Sequence, residues 1–237
     1  AGNAANPQTL HVAVVNIEGC IAYTTLTIRV LPNPTPSTDA EDIELCDYDN
    51  PGDQIEVFDI TINEAYIING ELGVSAAYYE SLENATDEID PIANPTTYSN
   101  IELGQQTIYV RVTNDTTGCF TIVTFDIIVN PLPDIGDVPD VIACEINTDG
   151  FFDFDLETVT SELLGAQDPA NFTVTYHETQ EDADNGENAL VSPYTNLTNP
   201  QQLFVNITNN LTGCNITGAG FNIEVQEAAI ANGDGVP

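Results

Sequence analysis

Basic residues are almost missing from this sequence. Lysine does not occur, and Arg29 and Arg111 stand against 38 acidic residues, which leaves a formal net charge of −36. Nucleic acids and anionic membrane surfaces attract proteins through clustered basic side chains. The composition therefore excludes both as electrostatic partners and predicts an acidic, solubilising surface.

Tryptophan, methionine and long apolar runs are also absent. Because a membrane-spanning helix needs about 18 or more consecutive apolar residues, the sequence predicts no transmembrane segment and no direct membrane insertion. No basic stretch followed by an apolar stretch marks a signal peptide. Without tryptophan, a flat platform for stacking sugar rings has little support.

The sequence does contain a long internal repeat. The segment QTIYVRVTNDTTGCFTIVTFDIIVNPLP at 106–133 recurs as QQLFVNITNNLTGCNITGAGFNIEVQE at 201–227 and, in a more divergent form, as QTLHVAVVNIEGCIAYTTLTIRVLPNP at 8–34. A unit of about 100 residues is too long for a solenoid repeat and suits a self-contained β-sandwich domain. Tandem copies of such a domain usually supply length or multivalency.

The five cysteines keep the spacing of the repeat. Cys20 and Cys119 are 99 residues apart, Cys119 and Cys214 are 95 apart, and Cys46 and Cys144 are 98 apart. Cys46 and Cys144 open the two full repeats, and Cys119 and Cys214 lie near their ends. We therefore predict one disulfide within each repeat, Cys46–Cys119 and Cys144–Cys214. The partner of Cys20 is expected upstream of residue 1. Reduced, buried thiols are the alternative.

The strand and helix signals predict an all-β protein. Alternating β-formers at 107–112, turn residues at 113–118 and a return strand at 119–129 indicate a hairpin, which recurs in each repeat. Short helices are expected at 61–70 and 157–167, ended by glycine, and two helical turns are expected to be capped by Ser81 and Thr179. The fold class is tandem Ig-like antiparallel β-sandwich repeats in an elongated array.

Proline-bearing segments mark the domain boundaries. They occur at 31–37 and 130–140, where proline makes a short and semi-rigid joint. The predicted organisation is the C-terminal part of a preceding repeat at 1–37, one repeat at 38–135 and one at 136–237. The chain is thus expected to be a segment of a longer polypeptide.

The repeats resemble a known group of proteins. The successions CDYDNPGDQIEVFDI, YYESLENATDEIDPIANPTTYSN and QTIYVRVTNDTTGCF are similar to repeats of giant flavobacterial (Bacteroidota) cell-surface adhesins, including gliding-motility adhesins exported by the type IX secretion route. The resemblance covers nearly all of 8–230. It implies extracellular, cell-anchored β-sandwich repeats with an adhesive or filamentous role.

The acidic residues after each early cysteine are the main candidate site. Oxygen ligands at alternate positions that end in a glycine turn resemble the start of calcium loops. A solvated acidic turn, in which aspartates accept from backbone N–H groups, is the alternative. The candidate Ca²⁺ ligands are Asp47, Asp49, Asp53 and Asp59 in the first repeat and Glu145, Asn147, Asp149, Asp153 and Asp155 in the second.

Two weaker candidates remain. A second acidic set could complete a cation site or bridge repeats, although such a run is more often the exposed face of a short helix. Its members are Glu80, Glu83, Asp87, Glu88 and Asp90, matched by Glu178, Glu181, Asp182, Asp184 and Glu187. Thr116 lies in the Asp-Thr-Thr turn of a hairpin, which resembles the O-glycosylation pattern of Bacteroidota. It is therefore a candidate site for an O-linked glycan.

Catalysis finds little support in the sequence. His11 and His177 fall at non-equivalent places of different repeats, no serine lies in a nucleophile-elbow context, and no lysine is present. Counting residues cannot exclude a pair of carboxylates of the glycosidase type, because carboxylates occur throughout the sequence. A duplicated domain without a unique polar constellation predicts that the protein is not an enzyme.

These observations lead to two functional hypotheses. The first is a structural and adhesive segment of a large bacterial cell-surface protein, a stiff extracellular stalk or filament stabilised by calcium. Its partners would be neighbouring repeats and, at the surface, glycans or other cells. The alternative is a calcium-dependent carbohydrate- or protein-binding module appended to a large secreted enzyme.

Overall fold

The computed structural model describes residues 6–146, 149–218 and 220–228. Two compact units divide the chain. The first contains residues 1–43 and 57–128, and the second contains residues 44–56 and 129–237. Segment 44–56, which the repeat assigns to the first domain, therefore packs within the second unit.

The described residues form fifteen strands and four short α-helices, and strands predominate. The strands are β1 (Gln8–Val15), β2 (Ile21–Ile28), β3 (Ile43–Cys46), β4 (Val57–Phe58), β5 (Val74–Tyr79), β6 (Tyr98–Ser99), β7 (Gln105–Asn114), β8 (Phe120–Asn130), β9 (Val141–Glu145), β10 (Asp153–Phe154), β11 (Phe172–His177), β12 (Tyr194–Thr195), β13 (Gln201–Asn209), β14 (Asn215–Thr217) and β15 (Phe221–Glu227). The helices are α1 (Glu64–Ile68), α2 (Leu82–Asp87), α3 (Thr160–Leu164) and α4 (Gln180–Asn185).

The same sheet plan occurs twice. One sheet has the order β3-β8-β7-β5 beside a two-stranded sheet of β4 and β6, and another has the order β11-β13-β15-β9, with β14 also on β13, beside β10 and β12. Strands β7 and β8 are antiparallel with Gln105 opposite Ile128. Strands β15 and β9 are parallel, with Ile223 opposite Val141. The architecture is tandem β-sandwich repeats with few helices, as predicted.

Each unit has its own apolar core, because the long strands alternate inward and outward side chains. In β7, Ile108, Val110 and Val112 are buried. Their counterparts in β13 are Leu203, Val205 and Ile207, which pack with helix α3 residues Leu163 and Leu164 in the second core.

The predicted helix signals are confirmed at three of four ends. Ser81 accepts a hydrogen bond from the backbone N–H of Asn84 at the start of α2, and Thr179 accepts from that of Asp182 at the start of α4. Gly165 is the C-cap of α3. Helix α1 ends one residue earlier than expected, because Asn69 already adopts the left-handed conformation before Gly70.

One predicted return strand is divided. The sequence predicts a continuous strand through 214–225, but β14 ends at Thr217 and β15 begins at Phe221. Gly218 has a φ of +120°, which interrupts the extended backbone. None of the helices in the described ranges is long and apolar enough to cross a membrane.

Candidate functional site: the cysteine segments and their acidic loops

The described cysteines form one disulfide, and it joins the two repeats. Cys46 is bonded to Cys214 across 168 residues of sequence, with Cα atoms 5.6 Å apart. Cys20, Cys119 and Cys144 carry free thiols. The predicted bonds Cys46–Cys119 and Cys144–Cys214 are therefore wrong. The repeat positions were identified correctly, but the early cysteine of one repeat pairs with the late cysteine of the next.

The packing of segment 44–56 explains why Cys46 pairs with Cys214. The backbone N–H of Asp47 donates to the carbonyl of Asn130 at 3.0 Å, and the Asn130 side chain donates to Glu44 at 2.8 Å. The Tyr48 hydroxyl donates to Oδ1 of Asn215 at 2.6 Å, next to Cys214. Since these bonds hold the segment on the second unit, Cys46 lies beside Cys214 there.

The first carboxylate after each early cysteine is buried and closes its loop. Oδ2 of Asp47 accepts from the backbone N–H of Gly52 at 2.6 Å, and Oε1 of Glu145 accepts from that of Gly150, also at 2.6 Å. The two side chains are only 1% and 7% exposed. Their other oxygens, Oδ1 of Asp47 and Oε2 of Glu145, are buried without a hydrogen-bond partner. Each repeat thus has, next to its early cysteine, one buried carboxylate oxygen without a hydrogen-bond partner.

The remaining predicted ligands of the first repeat do not share one unit. Asp53 accepts from Ile55 N–H at 2.9 Å and from the Asn50 amide at 2.7 Å, within segment 44–56. Asp59 belongs to the first unit, where it accepts from both the N–H and the hydroxyl of Thr61. Those two bonds lower the pKa of Asp59, the hydroxyl bond most. Asp49 is exposed.

The second repeat uses most of its candidate carboxylates for loop hydrogen bonds. Asp149 accepts from the N–H of Phe151 at 3.0 Å, Asp155 accepts from that of Glu157 at 3.2 Å, and Asp153 accepts from the Thr195 hydroxyl. Asn147 lies outside the described residues. Among those described, no group of three or more His, Cys, Asp or Glu side chains is arranged to hold a metal ion.

Glu80 and Glu178 of the second acidic set each belong to a hydrogen-bonded Gln–Tyr–Glu constellation that the sequence did not predict. The Gln106 amide donates to the Tyr98 hydroxyl at 2.7 Å, and that hydroxyl donates to Glu80 at 3.1 Å. In the second repeat, Gln201 donates to Tyr194 at 2.8 Å, and Tyr194 donates to Glu178 at 2.9 Å. The pairing of equivalent Tyr, Glu and Gln positions across the repeats was the signal that could have identified it.

Thr116 lies where the hairpin signal placed it. It is exposed in the turn between β7 and β8, and its N–H donates to the Asn114 side chain at 3.1 Å. His177 is fully buried, with one ring nitrogen 2.9 Å from the Thr175 hydroxyl and the other 2.7 Å from the Glu187 carbonyl. These contacts use both ring nitrogens within the fold.

The repeat length, the sandwich and the bond between repeats agree with one protein family. The model of the Flavobacterium inter-domain disulphide bond domain matches residues 42–133 and 140–229. The chain belongs to this family. Because disulfides persist in oxidising compartments outside the cytosol, two copies of the inter-domain disulphide domain indicate an extracellular or secreted flavobacterial protein.

Other comparisons are distant. No curated protein matches the chain. Among solved structures, an endo-fucoidan hydrolase of glycoside hydrolase family 107 matches at 10% identity over 96% of this chain and 35% of its own, with a TM-score of 0.20. A protocadherin gamma B7 fragment of cadherin domains 1–4 matches at 8% identity over 94% of this chain and 58% of its own, also at 0.20. The chain thus spans about a third to somewhat over half of these neighbours.

Proposed function

We propose that the chain is a structural segment of a large flavobacterial cell-surface protein, in which tandem repeats form a stiff stalk or filament. The observation that carries this proposal is the Cys46–Cys214 bond, which ties the start of one repeat to the end of the next. A bond of this kind limits how far tandem domains extend under load. The repeats resemble those of giant adhesins, and this resemblance adds four points to the proposal. They are adhesion to glycans or other cells, gliding motility, type IX export and a non-enzymatic role.

Single-molecule stretching tests the mechanical part. With Cys46–Cys214 intact, the stretch of chain between the cysteines, a sequence separation of 168, cannot contribute to the extension between the chain ends. Reduction, or the Cys46→Ser variant, should add roughly 590 Å of contour length at about 3.5 Å per residue. Cys20→Ser, which removes a free thiol, should leave the length unchanged. Release of the full length without reduction would contradict the proposal.

Calcium is the proposed stabilising ion of the acidic loops. The support is the unsatisfied Oδ1 of Asp47, together with Asp49 and Asp53 in the same loop, and the unsatisfied Oε2 of Glu145 with Asp149. Because Ca²⁺ takes six to eight oxygens, backbone carbonyls and water would have to supply the rest. Asp59, Asp153 and Asp155 have a weaker place in this proposal, since they lie outside the loops that the Asp47 and Glu145 carboxylates close.

Thermal melting with Ca²⁺ and with EDTA tests the calcium proposal. A ligand that binds the folded state alone raises its stability by about 2.7 kcal/mol at a hundred times its dissociation constant. Calcium should therefore raise the melting temperature, and Asp47→Asn should remove that increase. Asp115→Asn, in an exposed hairpin turn, is the matched control. Equal melting temperatures in Ca²⁺ and in EDTA would contradict the calcium proposal. The carboxylates would then serve only to accept hydrogen bonds within their loops.

The second candidate function is a binding module of a large secreted enzyme, calcium-dependent in its recognition of carbohydrate or protein. The repeated Gln–Tyr–Glu constellation favours it, because it orients a tyrosine hydroxyl in the same way in both repeats. Glycan-array binding by the chain, lost in Tyr194→Phe, would support this function. Fibres in electron micrographs with no glycan binding would favour the stalk.

A further inference from the structure

The turn after α2 holds one residue in a strained backbone conformation. Asp90 has a φ of +50°, in the left-handed region that residues with a side chain rarely adopt. The next residue is Pro91, and a proline ring crowds its predecessor and favours an extended conformation there. A left-handed residue directly before proline therefore stores strain at the Asp90–Pro91 peptide bond.

Hydrogen bonds on both sides of the turn hold this conformation. The N–H of Ile89 donates to the carbonyl of Asn84 at 3.0 Å, and the N–H of Ile92 donates to that of Tyr78 at 2.8 Å. The second repeat has the same two bonds at its equivalent positions, at 2.9 and 2.8 Å. Its residue at the strained position, Asn188, also has a φ of +50°. The fold thus imposes the left-handed conformation whichever residue occupies the position.

A second Asp–Pro bond in the chain lacks this strain. Asp168 precedes Pro169 with a φ of −72° and a ψ of +115°, in the extended region that suits a residue before proline. Its carboxylate accepts from the backbone N–H of Ala170 at 3.0 Å. Within the described ranges no group donates to the carboxylate of Asp90, and both Asp–Pro bonds are exposed to water. The two bonds thus differ in conformation and in the freedom of the carboxylate.

We propose that Asp90–Pro91 is a self-cleavage site, at which the carboxylate of Asp90 cuts the chain. Aspartate carboxylates act as nucleophiles in covalent catalysis. The proline nitrogen leaves readily, because it departs as a basic secondary amine. Cleavage also frees the left-handed residue from the proline ring, so the release of strain accelerates this bond over the unstrained Asp–Pro bond.

The reaction consumes one water molecule and proceeds in two steps. A carboxylate oxygen of Asp90 attacks the carbonyl carbon of the same residue, and the bond to Pro91 breaks as the proline nitrogen takes up a proton from solvent. Water then opens the resulting cyclic anhydride, which restores the side-chain carboxyl, creates a new C-terminal carboxyl and returns the proton. No electrons are transferred, and the two products together contain one water molecule more than the chain.

Acid speeds the first step because it supplies the proton that the proline nitrogen takes up. The turn lies beside α2 and β5, and α2 also packs on β7. Exposed carboxylates predominate among the charged groups of these elements and their ends, since the buried guanidinium is paired with one of them at 3.3 Å. These groups are Glu80, Glu83, Asp87, Glu88 and Arg111. Their net negative charge attracts protons to this surface, which favours cleavage in mild acid.

The disulfide decides what a cut at this place does. Cys46 lies before the cleaved bond and Cys214 lies after it, so the intact Cys46–Cys214 bond keeps the two parts covalently joined. The covalent path between the chain ends runs through this disulfide and bypasses the cut. A stalk would therefore stay continuous after cleavage and would come apart only after reduction. The inference goes beyond the proposed stalk role and depends on neither calcium nor adhesion.

Incubation of the oxidised full chain in mild acid, at a pH where circular dichroism shows the folded state, tests the cleavage. Reducing gels should show two fragments and non-reducing gels one band, and mass spectra should find a new C-terminus at Asp90 and a new N-terminus at Pro91. This cut should be roughly tenfold faster than that at Asp168–Pro169, the effect of releasing the strain of one unfavourable φ. Equal rates, or no cleavage, in the folded chain would overturn the proposal.

Denaturation separates strain from local sequence. In urea, where no fold imposes the left-handed conformation, the Asp90–Pro91 and Asp168–Pro169 bonds should be cleaved at similar rates. A tenfold preference that survives in urea would overturn the role of the fold.

Two variants copied from the second repeat complete the test. Asp90→Asn removes the nucleophile, and Pro91→Ala removes both the leaving group and the strain, so each should abolish the cut. Because Asn188 and Ala189 occupy these positions in the second repeat, both variants should fold like wild type. Asp168→Asn is the matched control and should leave the cut after residue 90 unchanged. Cleavage that persists in Asp90→Asn would overturn the mechanism, and every outcome leaves the stretching test of the disulfide unaffected.

Discussion

A buried polar side chain holds the helix after the edge strand in both repeats, although the residue differs. Arg111 in β7 donates to the carbonyl of Ala85 at 2.8 Å, and its equivalent Asn206 donates to the carbonyl of Ala183 at 2.8 Å. The Arg111 guanidinium also lies 3.4 Å from the ring centre of Phe120. In each repeat, a side-chain donor at this position thus satisfies a buried backbone carbonyl of α2 or α4. This role explains why a chain with so few cations buries one of them.

Replacing Arg111 with alanine should destabilise the first unit by about 2–4 kcal/mol. The change removes the donor to the buried carbonyl of Ala85 and a second hydrogen bond to the carbonyl of Thr86, an exposed residue. The ion pair with Glu88 adds little, because that carboxylate is largely exposed. Urea denaturation measures the effect. Arg29→Ala, at an exposed position, is the control, and equal losses would contradict this role for Arg111.

Alkaline titration should distinguish the buried tyrosines. Burial raises the pKa of Tyr98 to about 12, the Gln106 hydrogen bond opposes the rise, and Glu80 adds to it. Burial also raises the pKa of Tyr78, Tyr176 and Tyr194. Phenolate absorbance should show a late phase in the folded chain, and Tyr98→Phe should reduce it.

The sign of the effect on stability follows from those pKa values. An unfolded tyrosine ionises near pH 10, whereas the folded state keeps Tyr98 neutral to about 12. The contribution is complete below pH 10 and is lost as the pH rises towards 12. A denatured chain should titrate in one phase near 10. A single phase in the folded chain as well would contradict the burial.

Helix caps are the elements that local sequence specifies best. Helices α2 and α4 have six residues each and depend on capping, because so short a helix has few internal hydrogen bonds. Thr179 also donates to the Asp182 carboxylate at 2.6 Å, and this bond is the main reason that the pKa of Asp182 is lowered.

Alanine at either cap should destabilise its own unit by about 0.5–2 kcal/mol. Ser81→Ala acts on the first unit and Thr179→Ala on the second, each measured by urea denaturation. In Thr179→Ala, the pKa of Asp182 should rise towards 3.8 in an NMR titration, so the stability lost by wild type on acidification through that region should shrink. Ser75→Ala, in the exposed part of β5, is the control.

Strand length decided how well the elements could be predicted. The alternation of β7, β8 and β13 is long enough to identify them, and the structure confirms these strands. Two-residue strands such as β4 and β10 have no periodicity to detect. Strand β9 follows no hairpin signal, because its parallel pairing with β15 joins residues about 80 positions apart.

At the scale of the molecule, the two-stranded sheet of β1 and β2 shows what a hairpin lacks without further strands. Leu10, Val12 and Val14 correspond to Ile108, Val110 and Val112 of β7, which are at most 1% exposed. In β1 they are 39%, 38% and 58% exposed. The same pattern of residues is buried only where the rest of a sandwich supplies the opposite layer.

Loss of the Cys46–Cys214 bond should have the largest effect on stability. Closing a loop of 168 residues contributes about 5 kcal/mol in the chain-entropy model. Denaturation of Cys214→Ser should therefore show a weaker second unit, with segment 44–56 exposed to proteolysis. Cys144→Ser, which removes a free thiol, should melt like wild type. An unchanged second unit in Cys214→Ser would mean that hydrogen bonds alone hold the segment.

The sequence alone determined the repeat, the sandwich class, the long hairpins, the caps and the equivalence of the cysteines, because each depends on local pattern or on comparison of the chain with itself. It could not determine which equivalent cysteines bond, since all copies have the same local surroundings. It also could not separate Asp47, which closes a loop in the second unit, from Asp59 in the first. Only the tertiary structure decided both, by packing segment 44–56 with residues 129–237, a contact between residues far apart in sequence that no local periodicity encodes.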